Sequence, residues 1–318
     1  MPHSSTIPLR SLVVALSVLP TAVSGQQRTP DGRPDLQGIW NSATATPLER
    51  PSELADKPFF TPEEAAEWVQ SFIEGNEEPA RGSAQAGIGT FNTVYREYGT
   101  GVVKTLRTAI ITEPSDGRIP PLTSTAAEVR RRSIERQQNM ENPEDLSLQD
   151  RCVAFSTSGP PMLPYTYNSN YQIVQTRDAI LLHVEMIHDA RVIYLDGRPG
   201  PPPSIRLPSG YSAGRWEGDT LVVDTENFND AGGFYGGAGG NFGWDENLRV
   251  VERFSLYDSD TLLYRFEIHD PTAFTAAWKG ELTLARSTGN IYEYACHEAN
   301  YSMTGMLSGA RAEEARTR

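Results

Sequence analysis

The sequence predicts a mainly β protein, an antiparallel meander that closes into a calycin-like barrel or forms a strongly curved sheet, with two helices before it. From Tyr171 onward, short apolar segments alternate with turn sequences such as Asp196-Gly197 and Glu217-Gly218-Asp219. Segment 261–269 alternates apolar and polar residues almost throughout, which is the period of a half-buried strand. Short connections favour antiparallel pairing, and many strands in sequence order need closure or packing to hide their edges.

The first 25 residues have the pattern of a secretory signal peptide. Arg10 precedes an apolar run at 11–20, and small residues follow before Gln26. That run is too short to cross a hydrocarbon core of ~30 Å as a helix. We therefore expect an exported protein, periplasmic or secreted, with no integral membrane segment in the mature chain. The net charge of −13, without a basic cluster, argues against nucleic acid as a partner.

The elements before the meander follow from turn and capping signals. Residues 26–60 are rich in Pro and polar residues and predict an extended arm whose Trp40 docks on the body. The remainder, 61–318, is expected to be one β-rich domain. Its first helix begins at Thr61-Pro62-Glu63-Glu64, an N-cap followed by Pro and acidic residues. It is expected to end near Glu74, before Gly75.

A helical addition, residues 61–140, is expected to precede the meander at 171–298. Within it, 104–113 has the composition of a strand that turns at Pro114-Ser115-Asp116-Gly117. A second helix, Thr123 to about Gln138, is so heavily charged that we expect it on the surface.

The strands of the meander are separated by turn residues rich in Asp, Gly and Ser. We predict strands at 171–176, 180–187, 191–195, 212–216, 220–225, 249–255, 261–269, 279–285 and 291–297. Long irregular loops in a compact domain are usually functional or disordered. The Gly-rich loop 231–243 carries aromatic residues, so it is interpreted as a lid or rim rather than a linker.

Two cysteines, Cys152 and Cys296, are present. In an oxidising compartment an even pair is most simply a disulfide. Metal ligation by these cysteines is the less favoured alternative.

The strongest candidates for chemistry lie at 183–191. His183 and Glu185 share one face of the predicted strand 180–187, and His188 and Arg191 follow. A carboxylate beside an imidazole could act as a general acid or base, with Arg191 stabilising an anionic oxygen. The alternative is a buried polar network or the exposed face of a half-buried sheet.

A second candidate group follows Cys296, where His297 and Glu298 could meet Glu185 or His188 across the barrel. Together with His183 these residues could form a metal site with nitrogen and oxygen ligands. The spacing H-x-E-x-x-H matches no standard metal motif, so no metal is assigned. The sequence also lacks the common nucleotide, phosphate, nucleophile-elbow and redox motifs, so the cofactor is unknown.

Two functions remain open. The first is an exported β-barrel that binds a small, partly apolar molecule, with His183, Trp216, Trp244 and Tyr301 as ligand-binding residues. The second is a periplasmic hydrolase, lyase or hydratase that uses Glu185 and His188 with His297 or Glu298. A structural envelope protein is a third interpretation, and it would expose a sheet edge or a large apolar patch. Fold alone does not decide among them.

Six segments resemble a large family of uncharacterised exported proteins of Gram-negative bacteria. They are PDGRPDLQGIW at 30–40, RTAIITEPSDGRIPPLT at 107–123, EMIHDARVIYLDGRP at 185–199, GRWEGDTLVVDTENF at 214–228, ENLRVVERF at 246–254 and EYACHEANYSMTGMLSGARAEE at 293–314. The resemblance implies export to the periplasm and brings no established activity. His is frequent in the family where Gly200 and Arg249 stand here, so no histidine role carries over to those positions.

Overall fold

A computed structural model of the chain describes residues 27–76, 97, 99–155, 157–165, 167–229, 235–236, 240–241, 246–298 and 300–317. The signal-peptide prediction at 1–25, Trp244 and most of the aromatic loop 231–243 lie outside these residues. None of the helices in the described ranges is both long and apolar enough to cross a membrane.

Twelve strands and three α-helices make up the regular structure of the described chain. The strands are β1 (Gly38–Asn41), β2 (Ile111–Glu113), β3 (Asn170–Gln175), β4 (Ala179–Val184), β5 (Ala190–Tyr194), β6 (Tyr211–Glu217), β7 (Thr220–Glu226), β8 (Tyr235–Gly236), β9 (Gly240–Asn241), β10 (Arg249–Asp258), β11 (Thr261–His269) and β12 (Trp278–Ser287). The helices are α1 (Pro62–Gly75), α2 (Ser124–Asn139) and α3 (Tyr301–Thr317).

Nine strands close into a barrel in the order β1-β3-β4-β5-β6-β7-β10-β11-β12, and β12 pairs with β1. The prediction of a β-barrel is therefore confirmed. The barrel is mixed rather than an antiparallel meander, because β5 and β6 run parallel. A ring with an odd number of strands cannot alternate direction throughout, so at least one parallel pair is required.

Two further features depart from sequence order. The Pro-rich segment 195–210 is the crossover that returns the chain to the start of β6. Strand β1, from the predicted N-terminal arm, lies between β3 and β12. Trp40 is accordingly a fully buried barrel residue and does not dock from outside.

The two ends of the barrel differ in their connections. At one end, here called the turn end, short turns at 176–178, 218–219 and 259–260 join neighbouring strands. At the other, the loop end, longer segments at 185–189, 227–248 and 270–277 make the connections. Loops carry function more often than tight turns do, so the loop end is the place to search for a site.

The core is unusually aromatic. Six of its largest side chains are buried with less than 2% exposure, and they are Trp40, Trp278, Tyr171, Tyr264, Phe254 and Phe266. On β11 the inward residues Tyr264 and Phe266 alternate with exposed Arg265, as the sequence pattern predicts. Gly280 on β12 makes room for this packing, because a Cβ there would lie 2.2 Å from the Phe266 ring.

An irregular segment, residues 157–163, is entirely buried against the barrel interior. Loops normally remain at the surface because buried backbone groups need hydrogen-bond partners. Two tyrosines supply them here. The Tyr171 hydroxyl donates to the Thr157 carbonyl at 2.9 Å, and the Met162 amide donates to the Tyr264 hydroxyl at 2.9 Å. We call this stretch the interior segment.

The helices follow their capping signals. Helix α1 begins at a capping box, in which the Thr61 side chain accepts from the Glu64 amide and the Glu64 carboxylate accepts from the Thr61 amide. Helix α2 follows the N-cap Thr123 and buries only Ala126. Its charged side chains lie on the surface, as expected from its composition.

Three predicted strands differ from the structure, and the first of them, 180–187, ends at Val184. Only Ile111–Glu113 of 104–113 is a strand, because Thr108, Ile110 and Ile111 bond to the irregular segment 47–58. Residues 291–297 form no strand. Strand β12 already pairs with β11 on one edge and with β1 and β2 on the other. The closed barrel therefore leaves β12 no free edge with which residues 291–297 could pair.

Candidate functional site

Glu185 lies at the loop end, directly after β4, and is only 4% exposed. Its two carboxylate oxygens both have partners. Oε2 accepts from Asn170 Nδ2 at 2.7 Å, and Oε1 accepts from the Tyr292 backbone amide at 3.1 Å. The carboxylate thus holds the segment around Tyr292 against the barrel rim. This is a positioning role, since a general acid or base needs an oxygen that can reach a substrate.

The turn after Glu185 has a strained backbone. Ile187 and His188 have φ values of 63° and 58°, in the left-handed region that β-branched residues rarely adopt. Such strain persists only where surrounding contacts enforce it. Met186, with 0% exposure, anchors the turn, and the result is that the His188 side chain is directed to the surface.

The two histidines of this turn contact each other. The rings of His183 and His188 meet edge to face with centroids 4.6 Å apart, and His183 Nδ1 lies 3.2 Å from the Asp189 carbonyl oxygen. Burial and the neighbouring His188 both lower the pKa of His183. An imidazole that stays neutral near neutral pH is available for hydrogen bonding.

Arg191 does not join this group. It points into the barrel, where its guanidinium makes a bidentate ion pair with Glu252 at 2.6 and 2.9 Å. The Tyr264 hydroxyl donates to Glu252 at 2.9 Å. Burial opposes the charge on Arg191, but Glu252 raises the pKa of the guanidinium overall. Arg191, Glu252 and Tyr264, with Tyr171, form what we call the interior network. It supports the interior segment and is closed to solvent.

The other predicted residues are spread over the surface. His297 and Glu298 are exposed in a turn, and among the described residues no hydrogen bond or ion pair joins either to Glu185 or His188. Tyr301 is 81% exposed at the start of α3, and half-buried Trp216 packs under Arg33 near the turn end. Within the described ranges, no group of three or more His, Cys, Asp or Glu residues is placed to hold a metal ion.

The predicted disulfide between Cys152 and Cys296 is present, with Cα atoms 6.0 Å apart. It fastens the chain just before the interior segment to the stretch that crosses Glu185. Asn300 reinforces the same junction, because its side chain donates to the Asp150 carbonyl at 2.7 Å. Two segments far apart in sequence are therefore held as one wall.

Beside this junction lies an open cavity of about 510 Å³, here called the disulfide cleft. Two tyrosines, two carboxylates and several amides and hydroxyls line it together with the bridge. They are Tyr167, Tyr294, Asp150, Glu293, Gln149, Asn168, Asn300 and Ser302. The Tyr167 and Tyr294 rings meet edge to face with centroids 6.1 Å apart. Burial, and then the neighbouring tyrosines, raise the pKa of Tyr294, so its hydroxyl remains a donor at neutral pH.

Sequence reasoning missed the disulfide cleft. Its lining comes from residues 149–152, 167–168 and 293–302, which meet only through the disulfide and barrel closure. The last of these stretches lies in the family-like segment 293–314, but that resemblance brings no role for its residues. The predicted bridge was the one available signal, since a bridge between distant segments must bring their neighbours together.

Comparison with known proteins finds no matching family model, no matching curated protein and no matching solved structure. The fold and the site thus define the class on their own. The chain is a closed, mixed β-barrel protein with a filled interior and a disulfide-braced polar cleft at its loop end.

Proposed function

We propose that this chain is an exported binding protein that holds a small, partly apolar molecule in the disulfide cleft. The observation that carries the proposal is the cleft itself, an open cavity of about 510 Å³ whose lining includes two tyrosine rings and several hydrogen-bonding groups. Ligand sites combine apolar or aromatic surface with a few placed polar groups in this way. The barrel interior is a poorer candidate, because side chains and the interior segment fill it.

The enzymatic alternative receives less support. A hydrolase, lyase or hydratase at the rim would need Glu185 and His188 to converge with His297 or Glu298 on one reacting atom. Glu185 has both oxygens engaged, and His188 and His297 are exposed without a described contact between them.

Export supports the same proposal. A disulfide persists in an oxidising compartment, and the N-terminal pattern, like the resemblance to exported proteins, favours the periplasm. Intact-mass measurement of protein recovered from the periplasm of a Gram-negative host should show cleavage near residue 25. Protein that stays in the cytoplasm with its full length would contradict export.

Binding is tested by ligand-observed NMR with a library of small soluble compounds and a variant that blocks the cleft. Ala295 lines the cleft and is exposed, so Ala295→Trp adds bulk there without removing a buried contact. Ala213→Trp, on the exposed face of β6, is the matched control. We expect compounds that bind the wild type and the control but not Ala295→Trp. Equal binding to all three proteins, or no binding at all, would reject the cleft as the site.

A further inference from the structure

We propose that the ligand of the disulfide cleft is a small organic cation, an ammonium ion attached to a compact apolar body. This inference rests on the proposed binding function and gives it a chemical class. It is carried by the composition of the cleft wall and by the way that wall is held in place.

The first step is charge. Asp150 and Glu293 are the acidic residues that line the cleft, and none of its described lining residues is Lys, Arg or His. Asp150 Oδ2 accepts from Ser147 Oγ at 2.6 Å, so Glu293 is the main source of available charge. Several carboxylates on the outer wall of the barrel are matched by cations. On the outer wall, for example, Glu267 pairs with Arg253 at 2.6 Å, and Glu281 pairs with both Arg265 and Arg107. The cleft therefore differs from this part of the outer wall, since none of its described lining residues supplies a basic partner.

The second step is the aromatic surface. Tyr167 and Tyr294 are half-buried and meet at 74° between ring planes, so together they form a corner. The faces of tyrosine rings attract cations, and two rings set at an angle beside acidic groups are suited to binding alkylated ammonium ions. A neutral apolar ligand would gain from the rings but would have to desolvate the carboxylates without compensation.

The third step is rigidity. The Cys152–Cys296 bridge and the Asn300 contact to Asp150 hold the two segments of the cleft wall together, and Glu185 fixes one of these segments at Tyr292. A preformed site loses less entropy on binding than one that must order itself. A compact cation with few rotatable bonds fits such a site best.

The test uses three molecules of nearly equal shape: choline, its neutral carbon isostere 3,3-dimethyl-1-butanol, and the anion 3,3-dimethylbutanoate. Calorimetric titration of the full disulfide-bonded protein should give choline an affinity at least ~10-fold above that of the neutral isostere. The anion should bind least. Increasing ionic strength should lower the affinity for choline and leave the affinity for the alcohol unchanged. Only choline is held by charge interactions, and salt screens them.

Variants sharpen the assignment. Glu293→Gln should lower the affinity for choline roughly 5-fold and leave the affinity for the alcohol unchanged, because the substitution removes only a charge. Glu217→Gln removes the same charge at the turn end and should change neither. Tyr167→Leu should lower the affinity for choline, whereas Tyr167→Phe, which keeps the aromatic ring, should bind choline as the wild type does. Thermal unfolding of each variant verifies that it is folded.

Failure of this inference is distinguishable from failure of the binding function. Equal affinity for choline and its isostere, or stronger binding of the anion, would overturn the cation class while the cleft remained a binding site. The same holds if library compounds bind the cleft and choline does not. If no compound binds anywhere, the binding function itself fails.

Discussion

The barrel interior and the disulfide cleft both bring carboxylates next to tyrosines, but they use them differently. Inside the barrel, Glu252 has 0% exposure and accepts three hydrogen bonds from Arg191 and Tyr264. In the cleft, Glu293 is exposed, and no basic residue is among the described residues of the lining. Glu252 is therefore committed to the structure of the barrel, whereas Glu293 remains open to solvent. Substitutions in the two regions should therefore act on different properties.

The largest effect is expected from Glu252→Gln, which leaves the Arg191 guanidinium buried without its counter-charge. Removing one partner of a buried pair typically costs about 3–5 kcal/mol of unfolding free energy. Urea denaturation should show this loss as a lower midpoint.

Two controls define the cause. Glu267→Gln breaks the half-exposed pair with Arg253 on the outer wall and should cost less than about 1 kcal/mol. The double substitution Arg191→Met with Glu252→Leu removes both buried charges and should recover most of the loss. If the double variant is as unstable as Glu252→Gln, the unpaired charge of Arg191 is not the cause of the lost stability.

Loss of the disulfide should be the next largest effect. Replacing Cys152 and Cys296 together by Ser should lower the unfolding free energy by about 2–4 kcal/mol, since the unfolded chain regains freedom. Reductant should shift the wild type to the same midpoint and leave the variant unchanged. Choline affinity should fall as well, because the cleft loses its brace. Unchanged affinity for choline in the reduced protein would show that binding in the cleft does not depend on the disulfide.

Tyr264→Phe tests the connection between the interior network and the interior segment. The change removes a hydroxyl that donates to Glu252 and accepts from the Met162 amide. Leaving buried polar groups unpaired costs about 1–3 kcal/mol. Tyr257→Phe, at an exposed position, should stay within about 0.5 kcal/mol of the wild type. Ligand binding in the cleft should not change in either variant.

The smallest effect concerns the pKa of His183, which burial and His188 hold below the ordinary value of 6.5. His188→Asn removes the second cause, so NMR titration should show the pKa of His183 rising but staying below 6.5. Because its folded pKa is depressed, the stability that the neutral His183 contributes is present above pH 6.5 and declines as the pH falls. His269→Asn, on the outer wall of β11, should leave the pKa of His183 unchanged.

Local patterns in the sequence predicted the local part of the fold. The alternation on β11 and the turn residues between strands predicted the barrel. Both signals depend only on residues that are neighbours in the chain, so they can be seen in the sequence. The parallel β5–β6 pair and the position of β1 depend on ring closure, which no local pattern encodes. Helix α3 was missed since Gly305 and Gly309 lower its helix propensity, although Asn300 caps it by accepting from the Met303 amide.

The candidate site was predicted only in part. Alternation placed His183 and Glu185 on one strand face, and the even number of cysteines paired Cys152 with Cys296. Neither signal could determine which side of the barrel wall Arg191 would face. A bulge-like turn at Ile187 and His188 ends the strand three residues early, so alternation beyond Val184 no longer applies. Tyr167 carries no signature, and only the folded chain brings it to the same cleft as Glu293.

The insertion of β1 has a consequence for the order of folding. Its Trp40 pairs with Tyr171 on one side and with Arg286 on the other, so the first strand to leave the ribosome is also the last to find both neighbours. Contacts so distant in sequence slow folding, because a long chain must be closed before they form. Until β12 arrives, the edges of β1 and β11 with which it will pair remain open and prone to association with other chains. We therefore expect that a chain truncated before Trp278 aggregates rather than forming a smaller barrel, and that holdase chaperones assist the complete one.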